Sequence, residues 1–308
     1  LGSFPAPAFM FLAGLSAALG YGRIERDPRP APARLWLSLR RGLEILGLAL
    51  LFRLQEFVQW TSWSCWRDFF KVDILNTIGV SLMLLGLLFW AVRRELARIV
   101  LLAALVLLTG LLTPAVWSWP FLADLPWALR NYLTGSFTPG IFPLFPWFGF
   151  APAGAIAGLL IVRHRADRAG MAKLSAVMIG AGAVLFLAGR WAVGHAAHPA
   201  DWSFWHNSPE YFFIRAGILC ATLGACYFLC LPFDPGRFSW MRLFGRHSLL
   251  VYWVHIDLVY GRLFGFLKGT MGPVPAVIGF VVLSAAMLLL AWAVEHWRKI
   301  RERCAPGR

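Results

Sequence analysis

The apolar residues of this chain fall into nine long runs, separated by shorter stretches that hold most of the charged residues. Each run is close to the roughly 20 residues that an α-helix needs to cross a bilayer. Because backbone groups find no water partner inside hydrocarbon, runs of this length must be helices. The pattern predicts an all-α fold, a polytopic membrane helical bundle with nine transmembrane helices. The runs lie near positions 5 to 20, 43 to 60, 74 to 92, 97 to 117, 145 to 162, 172 to 193, 211 to 231, 248 to 266 and 273 to 294.

The composition leads to the same class of protein. Of the 308 residues, 59% are hydrophobic and only 14% are charged, and the mean hydropathy is +0.65. These values lie outside the usual balance of soluble domains of this length. They exclude a water-soluble globular domain.

The distribution of basic residues predicts how the helices are oriented. The 29 Lys and Arg residues give a formal net charge of +14, which could point to nucleic acid as a partner. Most of them, however, lie in alternate connections, namely those after the first, third, fifth, seventh and ninth runs. The positive-inside rule places these connections in the cytoplasm. We therefore expect the lipid bilayer and no nucleic acid as partner, a multi-pass protein of the inner membrane, a cytoplasmic C-terminus and residue 1 on the outer side.

The N-terminal run raises the question of what precedes it. Residues 1 to 20 do not resemble a cleavable signal peptide, and the first residue is Leu rather than Met. We expect a longer natural chain of about ten spans, with one span before residue 1. No soluble segment and no clear repeat interrupts the runs, so residues 1–308 are predicted to form a single membrane domain.

Ionisable and amide side chains inside the predicted spans are the best indicators of function, because such groups are costly in a membrane. Arg53 and Glu56 lie three residues apart in the second run, Asp73 and Asn76 lie at the start of the third, and Arg215 lies in the seventh. All belong to the central-to-outer half of the membrane, which suggests a hydrated pocket open to the outside. Structural ion pairs, or an Arg215 side chain that reaches for the interface, are the alternatives.

Histidines are the other candidates for chemistry. His255 lies near the middle of the eighth span, where an imidazole acts as a general base or makes a helix contact. His195, His198 and His206 belong to the outer segment 194 to 210, which is either an outward-facing site or a solvated loop. His195 and His198 lack a third ligand at a persuasive spacing, and the cysteines show no CxxC pattern. We therefore expect no metal.

Four strings, in this order along the chain, carry a resemblance to a known family. They are Pro7 to Ser16, Val72 to Gly79, Phe142 to Gly149 and Gly245 to His255. Together they resemble the bacterial relatives of heparan-alpha-glucosaminide N-acetyltransferase, within the wider transmembrane acyltransferase superfamily. The similarity covers nearly the whole chain.

The resemblance implies an enzyme that takes an acyl group, acetyl in the first instance, from cytoplasmic acyl-CoA. The acceptor is a sugar or another small molecule at the outer face. In the family a catalytic His lies shortly before the string at Pro7, which places it upstream of residue 1. Within this chain the matching positions are Asp73, Asn76, Pro146 and Trp147 as pocket residues and His255 as the catalytic candidate. Arg53, Glu56 and Arg215 join the expected substrate pocket as polar groups of neighbouring spans.

The cytoplasmic arginines have two interpretations. Guanidinium groups bind phosphates well, so Arg40, Arg41, Arg93 and Arg94 are candidates for the phosphates of acetyl-CoA or another acyl-CoA. Membrane topology alone also explains them. The alternative function for the whole chain is a membrane transporter or flippase, in which the polar groups line a substrate path.

Overall fold

The computed structural model describes residues 4–59, 70–135, 142–196, 203–204, 206–233, 239–260 and 272–304. Within these ranges the structure is helical and contains no β-strand, which confirms the all-α prediction. A short 3-10 helix, Pro120–Asp124, follows the fourth α-helix. The α-helices are α1 (Pro5–Glu25), α2 (Ala31–Gln59), α3 (Ile74–Ala91), α4 (Glu95–Trp117), α5 (Trp127–Leu133), α6 (Leu144–Trp147), α7 (Phe150–His164), α8 (Arg168–His195), α9 (Pro209–Cys230), α10 (Trp240–Arg246), α11 (Ser248–Tyr260) and α12 (Pro273–Cys304).

Six helical segments of the described residues are long and apolar enough to cross a membrane. The other three predicted runs fall on α1, α2 and α11. In α2 the apolar run is interrupted by Glu44, Arg53 and Glu56, and α11 has only 13 residues. Nine crossings therefore stay a prediction. The six segments are Ile74–Ala91, Glu95–Trp117, Leu144–His164, Arg168–His195, Pro209–Cys230 and Pro273–Arg301.

The chain groups into two compact units. The first consists of Leu1–Phe57 and Trp63–Pro232, and the second of Val58–Ser62 and Phe233–Arg308. The first unit holds α1 to α9, apart from the last two residues of α2, and the second holds α10 to α12. That residues 1–308 act as one membrane domain stays a prediction.

Two helix pairs of the first unit, α1 with α7 and α8 with α9, pack with their backbones in contact. A Cβ atom added to Gly154 of α7 would lie 1.8 Å from the carbonyl oxygen of Phe11 in α1. One added to Gly182 of α8 would lie 2.5 Å from the carbonyl oxygen of Gly217 in α9. Helices in lipid associate through such close packing of small residues, because lipid tails remove most of the hydrophobic driving force between them.

A single buried ring ties α9 to the segment before α7. Phe212 is fully buried, and a Cβ on Gly110 of α4 or on Gly149 would lie within 2.7 Å of its ring. The Phe212 ring also lies 4.7 Å from the ring of Phe150, measured between centroids. The indole N–H of Trp117 donates a 3.0 Å hydrogen bond to the Phe145 carbonyl. These contacts fix residues 142–150 against α4 and α9.

Candidate functional site

The first turn of α3 is built by two buried polar side chains. Asp73 is the N-cap, and its carboxylate accepts a 2.7 Å hydrogen bond from the backbone N–H of Ile74. The side-chain oxygen of Asn76 accepts from the Asp73 backbone N–H at 3.3 Å. This reciprocal arrangement is a capping box, in which residues at the N-cap and N3 satisfy donors that the helix leaves unpaired. It explains locally why an apolar helix begins at a buried carboxylate.

Arg53 of α2 brings a cation to this carboxylate. Its side chain is 7% exposed, and its Nη2 lies 3.5 Å from Oδ2 of Asp73. Its Nη1 also donates to the carboxylate of Glu56, which lies one turn further along α2 and is 49% exposed. Buried charges need such partners, since each loses its hydration in the membrane. The Arg53 Nε is buried and has no hydrogen-bond partner among the described residues.

Two further side chains of α3 reach the segments that follow α4. The amide of Asn76 donates a 3.3 Å hydrogen bond to the Tyr132 hydroxyl in α5. The hydroxyl of Thr77 donates to the carbonyl of Phe142. The Phe142 ring in turn lies edge-on to the ring of Trp147, with 4.9 Å between centroids. The string at Val72 and the string at Phe142 are therefore in direct contact.

The structure thus brings together most, though not all, of the predicted pocket residues. Arg53, Glu56, Asp73 and Asn76 form one cluster, which we call the Arg53 cluster. Trp147 lies against Phe142, whose carbonyl bonds to Thr77, the neighbour of Asn76, and Pro146 is buried beside Trp147. Arg215 of α9 is also buried, and its guanidinium carbon lies 4.0 Å from the centroid of the Tyr211 ring on the same helix.

His255 lies in α11, which belongs to the second unit. Its ring is half-buried, and Nδ1 lies 2.9 Å from the carbonyl oxygen of Val251, one turn earlier in α11. A carbonyl only accepts, so Nδ1 carries the proton and Nε2 holds the lone pair of the neutral imidazole. The Tyr252 ring lies edge-on at 5.7 Å between centroids.

The histidines of segment 194 to 210 make local contacts. His195 bonds through Nδ1 to the Trp191 carbonyl at 2.8 Å, and its ring stacks on the Trp191 indole at 4.5 Å. His206 Nδ1 lies 2.9 Å from the Ser203 hydroxyl oxygen. His198 lies outside the described residues. In the part of the chain that the structure describes, no group of three or more His, Cys, Asp or Glu residues is placed to hold a metal ion.

Much of the chain matches one known protein family. Residues 1–194 match the family model described as "Heparan-alpha-glucosaminide N-acetyltransferase, catalytic". The matched range covers more than half of the chain and contains the whole Arg53 cluster. The chain belongs to this family. A search of curated proteins found no match.

Membership of the heparan-alpha-glucosaminide N-acetyltransferase family, together with the six apolar helices, makes the chain a multi-pass membrane protein of an acetyltransferase family. It implies acetyl-CoA as the co-substrate. The first three strings of the sequence lie in the matched range. The string from Gly245 to His255 lies beyond it.

The four arginines suggested for the phosphates of acetyl-CoA differ in their surroundings. Arg40 and Arg41 both donate to Glu44, at 2.8 and 3.4 Å. Arg93 and Arg94 are exposed in the short connection between α3 and α4. All four side chains are exposed, so the pairs differ in charge: that of Arg40 and Arg41 is partly offset by Glu44.

One arginine has a structural role that the sequence did not reveal. Arg98 lies near the basic connection that follows the third apolar run, but it is only 5% exposed. Its guanidinium donates to Glu25 of α1 at 2.8 Å and to the carbonyls of Phe89 and Val92 at the end of α3. The partners are distant in sequence, so no local spacing could have indicated them.

Proposed function

We propose that the protein is a membrane-embedded acyltransferase. It moves an acyl group, acetyl in the first instance, from cytoplasmic acyl-CoA to a sugar or another small acceptor at the outer face. The observation that carries the proposal is the family match over residues 1–194, because this range includes the buried Arg53 cluster. Such a cluster is costly inside a membrane unless the protein uses it or pairs it.

In this proposal the Arg53 cluster binds the acceptor. One guanidinium faces two carboxylates, so the cluster keeps a negative charge, and the half-exposed carboxylate of Glu56 is its accessible side. Hydroxyl or amine donors of an acceptor are suited to that carboxylate. Pro146 and Trp147 are proposed to supply the apolar surface of the pocket, since Trp147 contacts Phe142, which bonds to α3. Arg215 is proposed as a further pocket residue.

His255 is proposed as the general base of this chain. Its Nε2 takes the proton from the acceptor's amine or hydroxyl as that atom attacks the thioester carbonyl. The C–S bond then breaks, the acyl group stays on the acceptor, and CoA leaves as the thiolate, which is protonated as CoA-SH. The hydrogen bond from Nδ1 to Val251 supports the role, because it leaves Nε2 as the basic atom.

The donor is proposed to bind on the cytoplasmic side. Arg93 and Arg94 are its first phosphate partners, since Glu44 partly offsets the charge of the other exposed pair, Arg40 and Arg41. Arg40 and Arg41 contribute to phosphate binding when their hydrogen bonds to Glu44 are broken.

The proposed topology is that of nine crossings in one inner-membrane domain. It combines the six apolar segments with α1, α2 and α11. Residue 1 then lies outside and the C-terminus in the cytoplasm, as the alternation of basic connections favours.

Inside-out vesicles that contain the protein provide the test. We expect radiolabel from acetyl-CoA, added on the exposed cytoplasmic face, to appear on an acceptor sealed in the lumen. Vesicles with His255→Ala should give at least about tenfold less product, while the exposed His296→Ala serves as the matched control. If no acceptor becomes labelled while a labelled solute crosses the membrane, the chain is a transporter or flippase instead.

A further inference from the structure

The second unit contains a buried carboxylate that the proposed reaction does not use. Glu295 lies in α12 with its side chain 8% exposed. It lies 22 residues after Pro273, roughly 33 Å along the helix, which is close to the thickness of the hydrocarbon core. This distance places Glu295 near the end of the span, but its side chain is buried in protein, so other groups must satisfy its charge.

The partners of Glu295 come from the string that begins at Gly245. Nε2 of His247 lies 3.1 Å from one carboxylate oxygen, and Nη1 of Arg246 lies 3.2 Å from the other. The His247 side chain is 13% exposed, whereas that of Arg246 is 64% exposed. Lys299, one turn along α12, approaches to 4.0 Å with an exposed side chain. His247 is therefore the buried partner, and the two cations are peripheral.

His247 is also the junction between α10 and α11. Its backbone N–H donates to the Leu243 carbonyl at 3.2 Å and closes α10. Its carbonyl accepts the backbone N–H of Val251 at 2.9 Å and opens α11. The Val251 carbonyl then accepts the Nδ1–H of His255. A continuous series of hydrogen bonds thus runs from Glu295 through His247 and Val251 to the imidazole of His255.

The spacing of this series places its members on one side of α11. Positions 247, 251 and 255 are four residues apart, and residues at this spacing lie above one another on a helix. A helix held at the residue just before its first turn keeps its rotation and depth along the following turns, because its backbone hydrogen bonds leave little freedom.

We propose that Glu295 and His247 form a positioning pair that holds the start of α11 on α12 and thereby sets the orientation and tautomer of the His255 imidazole. The inference builds on the proposed function only in giving His255 a catalytic role. It gives a role to Arg246 and His247 of the fourth string, which take no part in the proposed binding of the acceptor or of the acyl donor.

The pair is tested by ¹⁵N NMR of the histidine-labelled full chain in nanodiscs. The His255 resonances are assigned with His255→Gln. We expect His247→Ala and Glu295→Ala to shift the His255 Nδ1 and Nε2 resonances. In His247→Gln the side-chain amide still donates to Glu295, so the resonances should stay close to those of the parent. His296→Ala is the matched control, because His296 is exposed, adjacent to Glu295 and stacked on Trp292 at 5.2 Å.

Activity gives the second measurement. In acyl transfer normalised to folded protein, His247→Ala should lower kcat by about tenfold with little change in KM, and His247→Gln should restore most of it. Unchanged His255 resonances in both alanine variants would overturn the positioning pair, whatever the activity. Shifted resonances together with parental activity of His255→Ala would leave the pair in place and remove the proposed catalytic role of His255.

Discussion

Nη2 of Arg53 lies 3.5 Å from Oδ2 of Asp73 and joins the end of α2 to the residue that caps α3. Both side chains are buried, and the same carboxylate holds the first turn of α3. The contact therefore connects a local feature, the helix cap, to a tertiary one. It makes the geometry of the Arg53 cluster depend on the packing of two helices.

This contact predicts a coupled effect on stability. Arg53→Met leaves the Asp73 carboxylate buried without its cation and should destabilise the fold by about 3 kcal/mol. In the double variant with Asp73→Asn the loss should be smaller than the sum of the single losses, because each variant removes the same contact. The half-exposed Glu56→Gln is the control and should cost under about 1 kcal/mol. Thermal unfolding in detergent measures all four, and additive losses would show that Arg53 and Asp73 do not interact.

A second prediction concerns the backbone contact between α1 and α7. Gly154→Ala places a methyl group where the Phe11 carbonyl oxygen now lies, 1.8 Å from the new Cβ. The helices must separate, and we expect a loss of at least about 1 to 3 kcal/mol or no folded protein. Gly20 of α1 has no atom within 4 Å of a Cβ, so Gly20→Ala should be neutral or stabilise by up to about 1 kcal/mol. Equal size-exclusion profiles and melting midpoints for the two variants would contradict this packing.

A third prediction tests Arg98 as a structural residue. Arg98→Lys keeps the charge but cannot reach Glu25 and the carbonyls of Phe89 and Val92 at the same time. It should lower the melting midpoint clearly, and Arg98→Met should lower it further. Glu25→Gln should cost less than either, since Glu25 is 43% exposed and water can replace its partner. The arginine would have only a topological role if Arg98→Met melted at the parental temperature.

A fourth prediction separates two groups of arginines. If a charge that no carboxylate offsets decides which pair meets the acyl donor, Arg93→Gln with Arg94→Gln should raise the KM for acetyl-CoA by about tenfold at unchanged kcat. This corresponds to the loss of one or two charge-assisted hydrogen bonds. Arg40→Gln with Arg41→Gln is the matched pair and should raise KM less, because both side chains are engaged with Glu44. A larger effect from the second pair would reverse the assignment.

A fifth prediction concerns pH outside the membrane. The hydrogen bond from the Arg29 guanidinium lowers the pKa of Asp27 to about 2 from its usual value near 3.8. The Asp27–Arg29 contact is therefore complete above the ordinary pKa and is lost as the pH falls through about 2. Between pH 5 and 8 neither acyl transfer nor stability should change on its account. Carboxyl ¹³C NMR should show the pKa of Asp27 returning towards 3.8 in Arg29→Ala; an unchanged titration would assign the shift to another group.

Some of the candidate site was predictable from the sequence, for identifiable reasons. Arg53 and Glu56 are three residues apart on one helix, and Asp73 with Asn76 has the spacing of a capping box, so periodicity alone puts each pair together. That Arg53 reaches Asp73, or that Asn76 reaches Tyr132, depends on helices that are distant in sequence. The same holds for Glu295, whose partner His247 lies 48 residues away.

The sequence by itself determined the class of this protein, because long apolar runs without water partners permit only helices and because basic residues alternate with the runs. It also indicated the family, and three of the four strings lie in the matched range, whereas the string from Gly245 to His255 stays a prediction. Only the tertiary structure decided which polar groups meet. Lipid gives buried charges no solvent, so each needs a protein partner, and some of these partners, such as Asp73 for Arg53, lie on another helix. Small residues such as Gly154 and Gly182 decide how closely helices approach.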